Sequence, residues 1–212
     1  QEHWPNLSTE NRVNMAALAA AAAWGRGEWD LMDTYINVMK EKSPDRAFFG
    51  SILAIQRNHF EDAQRYIVRA REGVNSEITA TIGESYNRAY NTVVRTQMLA
   101  ELEEIITYKQ SMGNSEKLES LRALWNKRLL GCQQNVEVWQ RMLKVRALIL
   151  TPKENPDIWI KFANLCRKSN RMGLAERSLA SLGGMGEEAM HDVPPQVAYA
   201  RLKFNWATGS HH

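Results

Sequence analysis

The segment Asn58-His59-Phe60-Glu61-Asp62-Ala63-Gln64-Arg65-Tyr66-Ile67 returns as Asn170-Arg171-Met172-Gly173-Leu174-Ala175-Glu176-Arg177-Ser178-Leu179. An apolar stretch with helical spacing precedes each copy and each copy opens another, so the chain reads as helical hairpins joined in series. A related turn stands earlier, at Trp24-Gly25-Arg26-Gly27-Glu28-Trp29-Asp30, with Trp29 in the place of Phe60 and Met172. At this offset a large side chain is expected to plug the hairpin, while the small Ala63 and Ala175 let the paired helices approach closely. Shared Asn, Ala and Arg at matched positions argue against a coincidence of two amphipathic helices. If Trp29, Phe60, Met98, Val136 and Met172 mark equivalent second-helix starts, the period is about 31 to 38 residues, the range of tetratricopeptide-like repeats. The predicted fold is all-α, an α-solenoid of tetratricopeptide-like helical hairpins over residues 1–208, and such chains are usually scaffolds.

The punctuation places the elements. A first hairpin is predicted over residues 11–24 and 28–40, turning at Gly25-Arg26-Gly27. Ser43 is an N-cap with Pro44 at the first helical position. Residues 44–56 pair with 59–72, with Phe49, Ile52, Leu53 and Gln56 on the inner face and Gly73 closing the second helix. The pattern from Asn75 through Tyr90, Met98 and Ile106 to Tyr108 is long for one globular helix, so a break is expected near residues 95–98. Further helices are expected at 116–130, 135–150, 156–168, 171–182 and from Pro194-Pro195 through Trp206. A glycine-rich acidic loop begins at Gly183, and the last helix lacks a partner within the chain.

The 44% hydrophobic content suffices for a continuous core. With 27 basic and 24 acidic residues, the net charge of +3 gives no argument for nucleic acid or an anionic membrane. Cys132 and Cys166 have no CxxC or Cys/His partners, which speaks against zinc and a disulfide framework and for a reducing, cytoplasmic setting. The alanine-rich run from Met15 to Trp24 is too short to cross a bilayer and suits a close-packed helix. There is no initial Met and no secretory leader, and Gly209-Ser210-His211-His212 resembles the remnant of a purification tag, so the chain reads as a piece of a larger protein.

Neither HRD, DFG, GxxxxGK[ST] nor HExxH occurs, and no histidine stands beside a candidate nucleophile, so no catalytic or metal-ligating residue is assigned. What does recur is a basic residue inside an aromatic and apolar run: Tyr86-Asn87-Arg88-Ala89-Tyr90, Ile106-Thr107-Tyr108-Lys109, Trp159-Ile160-Lys161-Phe162 and Leu202-Lys203-Phe204. Two readings stand. Stacked repeats bring such cations together to grip a polyphosphate, or each stem lies along the apolar groove with its head in water or against a Glu.

Gly83-Glu84-Ser85-Tyr86-Asn87-Arg88-Ala89-Tyr90, Leu102-Glu103-Glu104-Ile105-Ile106-Thr107-Tyr108-Lys109, Leu130-Gly131-Cys132-Gln133 and Trp159-Ile160-Lys161-Phe162-Ala163-Asn164-Leu165-Cys166-Arg167-Lys168-Ser169, with Ala21 to Asp30, closely resemble the FAT domain of target-of-rapamycin-type (TOR-type) kinases in the phosphatidylinositol-3-kinase-related family. The resemblance covers the chain apart from its tail. Asn114-Ser115-Glu116-Lys117 is more similar to fungal than to animal members, and Gly183 to Asp192 departs from the family pattern. The resemblance implies a non-catalytic helical collar around a serine/threonine kinase domain encoded further along a parent chain. It also implies an inositol hexakisphosphate pocket, with Lys161 and Lys203 as ligands by motif position and Arg88, Lys109, Arg167 and Lys168 as further nominations. Implied partners are the kinase domain, the remaining helical repeats, TOR complex subunits and a small GTPase or other regulator, in nutrient-responsive signalling at the vacuole, lysosome or another endomembrane surface. Nucleic acid and direct membrane insertion are not among them. The competing reading is a free-standing tetratricopeptide-like, peptide-binding adaptor.

Overall fold

The computed structural model describes residues 4, 8–81, 86–183 and 193–209, without the side chains of 78–81 and 86–88. Among these residues the regular structure is helical: α1 (Thr9–Arg26), α2 (Trp29–Val38), α3 (Pro44–Gln56), α4 (Phe60–Thr81), α5 (Tyr86–Gln110), α6 (Ser115–Gly131), α7 (Val136–Arg146), α8 (Pro156–Lys168), α9 (Met172–Ala180) and α10 (Pro195–Thr208), with one 3₁₀ turn at Pro152–Glu154. The chain forms two compact units, Gln1–Asn114 and Ser115–His212.

The repeated element is a helix reversal. Gly27, Asn58 and Asn170 are all left-handed, with φ of 71°, 59° and 56°. In each case the next residue donates its backbone N–H to a carbonyl five residues back: Glu28 to Ala23 at 3.0 Å, His59 to Ala54 at 2.8 Å and Arg171 to Cys166 at 2.8 Å. The left-handed residues donate to Trp24, Ile55 and Arg167 in turn, each at 3.1 Å. This is the Schellman arrangement, which satisfies carbonyls that a helix end leaves open. The following helix starts at once, since the carbonyls of Glu28, His59 and Arg171 accept from Met32, Ala63 and Ala175. Asn recurs because it tolerates positive φ better than other residues bearing a Cβ.

Three hairpins result, α1 with α2, α3 with α4 and α8 with α9. Ala63 and Ala175 are fully buried at the crossings, as their size predicts. The large residues before them are not plugs: Trp29 and Phe60 are half-buried and Met172 is 36% exposed. The first residue of a returning helix lies at the turn of the hairpin, and the buried filling comes about two turns later, from Ile67 and Leu179.

In the first unit α3 is the centre. Ala47 and every residue from Phe49 to Ile55 are buried, because α1, α2, α4 and α5 all pack against this helix. A helix surrounded in this way needs apolar or small residues on every face. The Ala-rich α1 buries Ala16, Ala20 and Ala23 and leaves Met15 and Leu18 outward.

Several boundaries differ from the sequence reading. Gly25 and Arg26 lie inside α1, so Gly27 alone makes the first turn. Ser43 occupies the N-cap position of α3 without a side-chain cap bond. Gly73 does not close a helix, since α4 continues to Thr81. A Cβ at Gly73 would lie 2.5 Å from Cγ and 2.9 Å from Cβ of Pro44, so this glycine lets the start of α3 press against α4. No break occurs at residues 95–98. Helix α5 continues through a buried stripe of Val94, Met98, Leu102 and Ile105, and Arg95 is tied at 3.0 Å to both Asp45 of α3 and Glu77 of α4. Met98 is therefore no helix start.

In the second unit Val136 does begin a helix, its first turn held by Asn135 Oδ1, which accepts from Glu137 N at 2.8 Å and Val138 N at 3.2 Å. Trp125 and Leu129 of α6 and Trp139, Met142 and Leu143 of α7 are buried. Arg146 of α7, only 2% exposed, donates to the carbonyl of Trp125 at 2.8 Å.

Two glycine substitutions should act in opposite directions. Gly73→Ala is expected to lower stability by about 1–3 kcal/mol, because the added methyl meets the Pro44 ring. Gly131→Ala, where a Cβ meets nothing within 4 Å at the end of α6, is expected to be neutral or to stabilise by up to about 1 kcal/mol. Chemical denaturation of the two variants measures both signs.

Candidate functional site

The nominated basic residues fall into distinct classes. Lys109, in the last turn of α5, does not face water freely. Its Nζ donates to the carbonyl of Ile55 and to Oδ1 of Asn58, each at 3.0 Å. The ammonium thus binds the C-terminal turn of α3, where helix carbonyls carry partial negative charge, and the left-handed Asn that follows. Burial lowers the pKa of Lys109. The side chain of Arg88 lies outside the described residues.

Lys161, Arg167 and Lys168 stand on α8 and Lys203 on α10, two helices of the same unit that pack together. Between them lies an apolar cluster of Ala163, Leu179, Leu182, Val197 and Ala200, edged by Trp159, Ile160, Val193 and Phe204. Trp159 meets Phe162 edge-on, with ring centroids 5.9 Å apart. Helix α8 buries Ile158, Phe162, Leu165 and Cys166, which leaves Asp157, Lys161 and Lys168 on the exposed side. Seven residues separate Lys161 from Lys168, about 10 Å along one face. Lys203 is exposed on α10 beside Tyr199, Leu202 and Trp206. No described residue hydrogen-bonds or ion-pairs with Lys161, Lys168 or Lys203. Although the last helix was expected to lack a partner, Phe204 is half-buried against the cluster, while Trp206 is 77% exposed.

Arg167 is half-buried, and its buried Nε has no hydrogen-bond partner among the described residues. Arg201, which the sequence reading passed over, is the inward-facing cation of α10. Its Nη2 donates to the carbonyls of Leu179, at 3.2 Å, and Gly183, tying α10 to the end of α9, and burial lowers its pKa. Its position between the buried Val197-Ala200 pair and Phe204 was the available signal, because that stripe faces the hairpin.

Cys166 is fully buried in α8 and desolvation pushes its thiol up to about 11, whereas Cys132 is partly exposed after α6. Among the described residues, no group of three or more His, Cys, Asp or Glu side chains is placed to hold a metal ion, and no helix is long and apolar enough to cross a membrane.

Residues 16–212 match the family model described as the FAT domain. The chain belongs to the FAT domain family. This FAT segment is 50% identical over 98% of its length to the serine/threonine-protein kinase TOR2 of Saccharomyces cerevisiae and 43% identical over 98% to tor1 of Schizosaccharomyces pombe. It is 39% identical over 96% of its length to the Drosophila melanogaster kinase mTor. The higher identities to the fungal proteins agree with the fungal character of Asn114 to Lys117. The FAT segment spans 9% of the length of each fungal relative and 8% of the fly protein.

Lys109→Met should cost about 1 kcal/mol in denaturant titrations, since it leaves the Ile55 carbonyl at a partly buried helix end without this donor. Alkylation at pH 8 separates the two thiols. With a pKa near 11, on the order of one Cys166 in a thousand is thiolate, so peptide mapping should find label on Cys132 alone until the protein is unfolded.

Proposed function

We propose that this FAT segment is a non-catalytic scaffold in a longer TOR-type serine/threonine kinase, packing with the remaining helical repeats around the kinase domain. It offers a surface to TOR complex subunits and regulators such as a small GTPase in nutrient-responsive growth signalling, with the parent complex at a cytoplasmic vacuolar, lysosomal or other endomembrane surface. The match along nearly the whole segment to a small share of each TOR relative supports the scaffold reading.

The same segment contributes part of an inositol hexakisphosphate pocket. The observation that carries this assignment is the pair of cations, Lys161 and Lys203, exposed on packed helices without partners among the described residues. Cations left unpaired beside one another repel, and a polyphosphate converts that cost into charge-assisted hydrogen bonds. Lys168, on the same exposed face as Lys161, lengthens the basic strip. Arg167 contributes less, because its unsatisfied Nε is buried away from the exposed face. Lys109 is a weaker member, because a ligand must compete with Ile55 and Asn58 for its ammonium.

A ligand that binds only the folded state raises stability by about 2.7 kcal/mol at one hundred times its Kd. Inositol hexakisphosphate is therefore expected to raise the melting temperature of the chain by several degrees. The Lys161→Ala/Lys203→Ala variant is expected to melt at the unliganded temperature of the parent chain, because both side chains are exposed, and to show no ligand-induced rise. An equal rise in the double variant would remove these lysines from the site.

A further inference from the structure

The basic strip depends on how α10 is turned about its own axis. Its two leading cations stand on helices that are held very differently. Helix α8, which carries Lys161 and Lys168, buries Ile158, Phe162, Ala163, Leu165 and Cys166 and is paired in a hairpin with α9. The buried residues of α10, which carries Lys203, are Val197 and Ala200, with Phe204 half-buried beside them. These three positions follow the spacing of one helix face, but two of the three side chains are small. Small side chains make shallow ridges, which hold a helix against its neighbours without fixing its rotation.

Arg201 supplies the missing stop. It lies at the edge of the buried stripe, one residue past Ala200, and its Nη2 donates to two carbonyls, that of Leu179 at 3.2 Å and that of Gly183. Both lie at the end of α9, where the Leu179 carbonyl also accepts from Leu182 N at 3.1 Å, so this acceptor is itself held in place. The partial negative charge of a helix C-terminus suits a guanidinium there. At about 100° per residue, Arg201 and Lys203 stand about 160° apart around α10, on opposite flanks of the stripe. Seating one flank on α9 therefore sets where the other points. A roll of about 20° would carry a side-chain tip about 6 Å from the axis through about 2 Å. Binding groups must be held to about 0.5 Å, and a flexible lysine stem follows a larger shift only at a cost in rotamer freedom.

We infer that Arg201 is a positioning residue of the polyphosphate site, holding α10 at the rotation that presents Lys203 to the ligand without touching the ligand itself. This role presupposes the inositol hexakisphosphate pocket proposed above. It also accounts for an arginine at this position in place of an apolar residue, since the stripe alone would accept either.

Calorimetric titration of the chain with inositol hexakisphosphate tests the role through a double-variant cycle. Arg201→Met removes the donors and should weaken binding about fivefold. Lys203→Ala should weaken it about tenfold and leave a remainder from Lys161 and Lys168. On the Lys203→Ala background, Arg201→Met should cost nothing more. Arg201→Lys, which keeps a donor for the α9 carbonyls, should recover most of the loss. A general weakening of the fold, or direct contact between Arg201 and a phosphate, lowers affinity on both backgrounds. Equal losses on the two backgrounds, or binding by the Arg201→Met chain at full strength, therefore overturn the role and leave the pocket in place. Absence of binding by the unsubstituted chain overturns the pocket, and the role with it. Should circular dichroism show that Arg201→Met unfolds the unit, the Arg201→Lys chain carries the same cycle through its smaller loss, with the same outcomes deciding.

Discussion

One backbone conformation, a single left-handed residue after a helix, organises the hairpins. Gly27, Asn58 and Asn170 allow the chain to close its last carbonyls and start a new helix two residues later. A longer connection would leave the relative placement of the paired helices to side-chain packing alone. With so short a reversal the crossing falls at a fixed distance into the returning helix, and the residue there is buried in all three hairpins, as Met32, Ala63 and Ala175. Its size is set by the partner helix: two hairpins take Ala there, and the first, whose α1 is rich in Ala, takes Met.

Cations at the ends of helices extend the same logic. Lys109 binds the C-terminal turn of α3, Arg201 the end of α9, and Arg146 the carbonyl of Trp125 within α6. Each carries positive charge to carbonyls that would otherwise lack a second partner in a partly dry setting. Each also locks one helix to another, Lys109 skipping an intervening helix and the two arginines joining consecutive ones, which a hydrophobic contact does with less directional preference. The ion pairs that α5 makes in the first unit, Arg71 with Glu103 and Arg95 with Asp45 and Glu77, are a third to half exposed and add correspondingly little energy. Their effect is on alignment, since α5 is fixed along α4 at two points.

Helix content and the hairpins were legible in the sequence because both rest on local signals. Pro44 and Pro156 start their helices at the expected residues, and Gln56 and Lys168 end them. What the sequence did not show was where a glycine acts through a neighbour. Gly73 looks like a helix terminator, yet its reason is the Pro44 ring, which belongs to another helix. The continuity of α5 is a tertiary matter as well, since length alone suggested a break that buried contacts at Val94, Met98 and Leu102 prevent. Met172 was misjudged for a related reason: periodicity gives the face of a helix but not how far along it the neighbour reaches.

The basic residues show how far a motif can carry a functional assignment. Arg88, Lys109, Lys161 and Lys203 share one sequence setting, a cation within an aromatic and apolar run. Where the structure describes the side chains, that setting divides. Lys109 is satisfied by backbone and amide oxygens, whereas the heads of Lys161 and Lys203 are exposed without described partners. A lysine already bound to protein oxygens contributes little new energy to an anion, because each bond gained replaces one lost. An exposed lysine in water also exchanges partners, but hydration is the smaller competitor when several phosphates act on neighbouring cations at once. The contribution of each cation to a polyphosphate pocket is therefore set less by its motif than by whether the fold has already supplied it with acceptors. On that criterion α8 and α10, and not the end of α5, carry the proposed site.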